Sequence, residues 1–100
     1  MLDELREELR ELNPDALLAD GFEDALIGIG QQFNRYLAVY SLDKARQVLI
    51  DRDGMRYEDA QEFIDIHVTG AWMGDNTPIF LYVPESLPAL KENAESLSES

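Results

Sequence analysis

Five consecutive apolar residues, Ile79-Phe80-Leu81-Tyr82-Val83, stand between two prolines, Pro78 and Pro84. A run that short, apolar throughout and closed by residues that interrupt regular structure, predicts a largely buried β-strand. A strand needs neighbours, and residues 22–40 offer them. Phe22, Ala25, Leu26, Ile29, Phe33, Tyr36, Leu37 and Tyr40 also match helical spacing. Against a helix stand Gly28 and Gly30, each costing about 1 kcal/mol relative to alanine. The residues around them (Ile27, Ile29, Phe33, Tyr36, Val39, Tyr40) suit a pleated surface. Two strands are predicted, 25–32 and 36–41, joined by a tight turn at Asn34-Arg35. A helical reading of 22–40 would make the protein all-α, and that is the alternative fold.

The remaining segments carry helical periodicity. Residues 2–12 place Leu2, Leu5, Leu9 and Leu12 on one stripe and turn Glu4, Glu7, Glu8 and Glu11 largely outward. Asp3 and Glu4 favour the positive end of that helix, and Asn13-Pro14 stops it. Three turns are marginal in isolation. The leucine stripe must therefore dock, on its own domain or on a second copy, which makes the four leucines oligomer candidates. Ser41 caps a helix over 42–52 with Leu42, Ala45, Val48 and Leu49 inward, and Gly54 with Met55 closes it. A second helix, 57–72, buries Ala60, Phe63, Ile64, His67, Val68 and Ala71 and exposes Glu58, Asp59, Glu62 and Asp65. The turn formers from Gly74 to Pro78 end it. Ala89 to Leu97 predicts a weak helix. Residues 1–14 form an N-terminal amphipathic helix, 15–84 a globular α+β domain and 85–100 an acidic polar tail. The predicted architecture is a small antiparallel sheet of about three strands with two helices on one face and the N-terminal helix added.

Three stretches carry a resemblance: Asp20-Gly21-Phe22-Glu23-Asp24-Ala25, Arg52-Asp53-Gly54-Met55-Arg56-Tyr57-Glu58-Asp59-Ala60, and Gly70-Ala71-Trp72-Met73-Gly74-Asp75-Asn76-Thr77-Pro78. In these the chain resembles a family of small uncharacterised proteins from bacteriophage and bacterial genomes. The resemblance implies no assigned activity. Members usually carry serine or another capping residue where this chain has Arg56, which implies a second helix without a side-chain cap.

Charge bounds the partners. Twenty-one acids face eight bases, a formal net charge of −13. Such a field repels nucleic-acid phosphate and anionic lipid, so neither direct nucleic-acid binding nor membrane association is expected. No segment has the apolar length of a membrane span, and the first residues do not read as a signal peptide, so a cytoplasmic location is expected. Cysteine is absent and His67 is the single histidine, which excludes thiolate chemistry and multi-histidine metal sites.

Local constellations are weak. An EF-hand loop with Gly54 at its sixth position would put Leu49 and Ala60 where carboxylates are required. Gly28-Ile29-Gly30 lacks the third glycine of a phosphate-binding turn. His67 could act as a general base oriented by Asp65 or Asp75, but Asp65 lies two residues away, where helical side chains do not face each other. A core-edge, structural histidine is the preferred reading. The acids Glu58, Asp59, Glu62 and Asp65 read as a solvated face. Trp72, beside the turn Asp75, Asn76 and Thr77, either closes the core over the last strand, the preferred reading, or anchors a partner.

The leading expectation is a non-enzymatic protein-interaction module without cofactor or metal, monomeric or homodimeric. It is a phage-type accessory protein that binds or inhibits a host or phage protein. Trp72, Asp75, Asn76, Thr77 and the acids Glu58, Asp59, Glu62 and Asp65 are its interaction candidates. If the partner processes nucleic acid, the acidic faces would occupy its basic groove. Two alternatives stand beside it: a small enzyme or ligand-binding protein using His67 and the Asp75–Thr77 loop, and a salt-adapted domain whose acidity says nothing about partners.

Overall fold

The structure is a computed structural model that describes residues 2–68, 70 and 72–84, with only the backbone of Leu2. The polar tail 85–100, its expected helix, and Ala71 of the expected stripe lie outside the described residues.

Leu26–Gln32 (β1) and Arg35–Ser41 (β2) pair antiparallel, with Leu26 opposite Tyr40 and Gln32 opposite Arg35. Strand propensity therefore prevails over helical spacing in 22–40, and the fold is α+β. The connecting turn falls at Phe33-Asn34, one residue earlier than expected, with Phe33 at φ +55°. Ile79–Leu81 (β3) completes the sheet beside β2, shorter than the apolar run that announced it. It runs parallel to β2, with Val39 opposite Ile79 and Phe80 opposite Tyr40. The expected antiparallel sheet is thus corrected to a mixed one. The cause is the connection: two helices lie between β2 and β3, and they return the chain to the end at which β2 began.

Ser41 ends β2 and opens Leu42–Asp53 (α2), its hydroxyl accepting a hydrogen bond from the Lys44 N–H at 3.2 Å. Gly54 closes that helix at φ 69°, ψ 21°, and Met55 N–H donates to the Leu49 carbonyl at 3.3 Å. Tyr57–Phe63 (α3) starts at Arg56 with no side-chain cap. Where one helix to residue 72 was expected, the α-helix ends at Phe63 and a π-helical turn follows over Ile64–Val68. Gly70 then comes so near this turn that a Cβ would lie 2.7 Å from the Asp65 carbonyl oxygen. The backbone can fold back only because that Cβ is missing.

Leu2–Leu12 (α1) docks on its own domain through its leucine stripe. Leu9 is buried at 3% exposure, Leu5 is half-buried, and Leu12 at the helix end is exposed. One core joins Leu9 of α1, Leu49 of α2 and Ile64 of the π turn to Leu26, Ala38 and Tyr40. Side chains alternate across a sheet, so all three helices lie on the face that carries Ala38 and Tyr40. Tyr40 stacks on Phe80 with centroids 5.4 Å apart, and its hydroxyl accepts the Ala19 N–H at 2.8 Å. Burial pushes the Tyr40 hydroxyl above its ordinary pKa, and the bond from Ala19 partly offsets this.

Candidate functional site

Asn13, the residue that ends α1, fastens the loops of the site. Its Nδ2 donates to the Tyr36 carbonyl at 2.7 Å and to Asn76 Oδ1 at 3.0 Å, while Leu17 N–H donates to the Asn76 carbonyl at 3.1 Å. The turn before β3 is closed by Thr77: its hydroxyl accepts from Met73 N–H at 2.8 Å and donates to the Gly74 carbonyl at 2.6 Å. Two loops are thereby held side by side next to β3. Between them and the end of the π turn runs an apolar groove of about 230 Å³, walled by Leu17, Leu18, Phe22, Val68, Met73 and Phe80 with Asp20, His67 and Thr77 on its border. A shallower depression, with Met55, Phe63 and Ile66 between Asp59 and Glu62, adjoins it. His67 borders both.

His67 was expected in the buried stripe; it is exposed. The stripe assumed 3.6 residues per turn, and the wider π turn advances less per residue, so His67 falls out of phase while Val68 of the same stripe still packs against the core. The imidazole rests against Phe63, centroids 4.8 Å apart at 48°. Neither aspartate proposed to orient it does so. Asp65 accepts from Gln61 at 2.9 Å, and Asp75 pairs with Arg35 at 3.7 Å. Among the described residues, no carboxylate lies within ion-pair reach of His67, and no three metal-ligating side chains converge.

Trp72 does not close the core. It is 73% exposed, as is Met73 beside it at 74%, and Ile66 stands at 57%. Glu58, Asp59, Glu62 and Asp65 are all exposed, as expected for a solvated face, and Asp59 and Glu62 sit on the depression beside His67. Asn76 and Thr77, half-buried, spend their polar groups on the loops. The expected candidates thus divide. Asp59 and Glu62 face solvent on the depression, and Trp72 faces solvent next to Met73 in the chain; Asn76 and Thr77 hold the walls. Asp75 is exposed on the turn and pairs with Arg35.

Three residues of these grooves, and one at the hairpin tip, were not singled out in advance. Leu18, Ile66 and Met73 are large, apolar and exposed, and Phe33 at the hairpin tip is 94% exposed. Ile66 had a signal, since it follows Asp65 on the acidic side of the helical wheel. Phe33 had none.

A second cleft lies between the loop after Asp20 and α2, and its Arg52 and Glu23 are engaged. Arg52 donates to the Gly21 carbonyl at 2.6 Å and pairs with Asp53 at 2.9 Å. The Glu23 carboxyl is held below its ordinary pKa by its own backbone N–H and that of Gly21.

Fold and surface together define a small α+β domain with a three-stranded mixed sheet and a solvent-facing apolar groove. No helix among the described residues is long and apolar enough to cross a membrane. No family model, curated protein or solved structure matches the chain.

Proposed function

We propose that the protein is a non-enzymatic interaction module, and that the paired grooves around His67 receive an apolar, basic segment of a partner protein. The observation that supports this most is the exposure of three large apolar side chains, Ile66 on the depression, Met73 on the groove and Trp72 next to Met73 in the chain, beyond a helix whose outer positions are acidic. Single exposed apolar residues are ordinary on a protein surface, whereas contiguous ones rimmed by polar groups mark contact sites. The π turn that brings Ile66 and His67 outward is a local distortion of the kind enriched at functional sites. Asp20, Asp59 and Glu62 border the apolar surface, and the chain carries a net charge of −13. Complementarity therefore favours lysine or arginine flanking the partner's apolar anchors. The role we propose is accessory, with a host or phage protein as partner.

A photo-crosslinker at Met73, compared with one at Gln47 on α2, identifies the partner that this surface meets. With the purified partner, Trp72→Ala/Met73→Ser should weaken binding more than about tenfold, and added salt should weaken the wild-type complex. Affinity within about twofold in the folded double variant would remove the groove from the proposal. If the partner binds nucleic acid, competition by that nucleic acid would place the acidic faces in its basic groove.

A further inference from the structure

The sheet ends on two strands whose outer edges differ. β3 is three residues long and follows Pro78, which has no N–H to offer, so little of it can receive another strand. β1 is seven residues long and holds no charge and no proline, the residue classes by which natural sheets close an edge. Its register slips between Leu26 and Gly28, and this bulge blunts one end only; Gly28 to Gln32 pair with β2 without interruption. The hairpin fixes which way their backbones point. A two-residue loop is closed by a hydrogen-bonded pair, here Gln32 and Arg35, and bonded and unbonded pairs alternate from there. Ile29 and Gln31 therefore aim their N–H and carbonyl groups away from β2. Consistent with this phase, the Tyr36 carbonyl opposite Gln31 takes a hydrogen bond from Asn13. Among the described residues, no backbone group outside the sheet pairs with Ile29 or Gln31.

We infer that this edge is a self-association surface, at which β1 of a second copy adds antiparallel and joins the two sheets into one. A row of alternating donors and acceptors is its own complement across a two-fold axis. With the axis at Gly30, Ile29 and Gln31 of one copy exchange N–H···O bonds with Gln31 and Ile29 of the other. The two Gly30 residues then face each other as a pair without hydrogen bonds, where strands approach most closely, and neither brings a side chain. Charge selects the occupant. The chain carries twenty-one acids and a net charge of −13, yet no acid lies between Asp24 and Asp43, and Arg35 is the one charged residue in that stretch. Two copies can meet at β1 without opposing carboxylates, whereas the exposed acids of α1 and α3 set them against each other. A strongly basic partner, by contrast, gains nothing from a neutral edge. An edge this short makes a small interface, so the dimer is weak, populated at about millimolar and dissociated at about micromolar concentration. This surface is separate from the grooves around His67, and either can fail without the other.

Sedimentation and amide exchange of the full chain test this. From about 10 μM to about 1 mM the wild type should pass from monomer to dimer. Added salt should promote the dimer by screening repulsion between the copies, the opposite sign from the partner complex. Over the same range the amides of Ile29 and Gln31 should come to exchange at least about tenfold more slowly. Gln31→Pro deletes an outward N–H and no backbone bond to β2, and should remain monomeric. Should that variant fail to fold, Gly28→Glu serves in its place: a Cβ at Gly28 meets no described atom within 4 Å, and the carboxylate puts charge on the edge. A wild type that stays monomeric at about 1 mM in high salt overturns the inference, as does a dimer that the folded variants keep. Protection of Ile29 and Gln31 only on adding a partner protein overturns it too, and would make a partner's strand the occupant.

Discussion

Two stretches of this chain carry the same alternation of acids and apolar residues and come to different ends. Along α1 the pattern is obeyed: Leu9 is buried, Leu5 is half-buried and the glutamates face water. Along residues 57–73 it is obeyed as far as Ile64 and then only by Val68. Beyond that point the helix widens, His67 emerges, and Ile66, Trp72 and Met73 stand in solvent. Periodicity describes where side chains go while the helix keeps its pitch, and a π turn ends its authority. In α1 apolar residues stabilise the fold. In 64–73 the exposed ones contribute little to it, which leaves them free for a partner.

The sharpest way to break that contrast is to truncate a leucine. Leu9→Ala should cost about 2–4 kcal/mol in denaturant unfolding, because it empties a site in the shared core. Trp72→Ala, the loss of a much larger side chain, should stay within about 0.5 kcal/mol. Comparable losses at the two positions would erase the distinction.

A second test addresses the polar contact that holds the loop wall to the sheet. Tyr40→Phe keeps the ring on Phe80 and removes the acceptor of the Ala19 N–H, at a cost of about 1–3 kcal/mol. The raised Tyr40 pKa also sets a direction for pH. The neutral phenol is favoured in the fold, so its contribution is complete below about pH 10 and is lost as pH rises through the folded value. The Tyr40→Phe variant, with no phenol to ionise at this position, should lack this alkaline decline. An equal decline in both proteins would assign it elsewhere.

Smaller effects, with the opposite sign, are expected where local structure is least suited to its residue. Phe33 occupies a positive-φ position that glycine takes without strain, so Phe33→Gly should raise stability by about 1 kcal/mol. Arg56 gives α3 no side-chain cap, and Arg56→Ser should add about 0.5–1 kcal/mol. Thermal midpoints that fall in both variants would show that these side chains hold contacts in the native state.

Much of the fold was legible in the residues themselves. The hairpin, the Ser41 cap, the Gly54 closure and the docked leucine helix all rest on short-range chemistry: propensity, one hydrogen bond, one backbone conformation, one stripe. The parallel pairing of β3 was not legible, because strand direction depends on how a two-helix connection returns in space. The site was legible in part. Trp72 and the acids of α3 were singled out as interaction candidates, but the preferred reading put Trp72 in the core. The stripe that would have buried His67 failed at the π turn, which nothing in the helical pattern announces. Met73 and Leu18 become a groove only when Asn13 and Asn76 bring two distant loops together.

Trp72 is the single tryptophan, so its fluorescence reports the disputed position without interference. In the isolated protein its emission should be that of a hydrated indole, open to quenching by acrylamide nearly as in the unfolded chain. A blue-shifted, quencher-resistant Trp72 in the free, monomeric protein would contradict the claim that this stretch is held out for a partner.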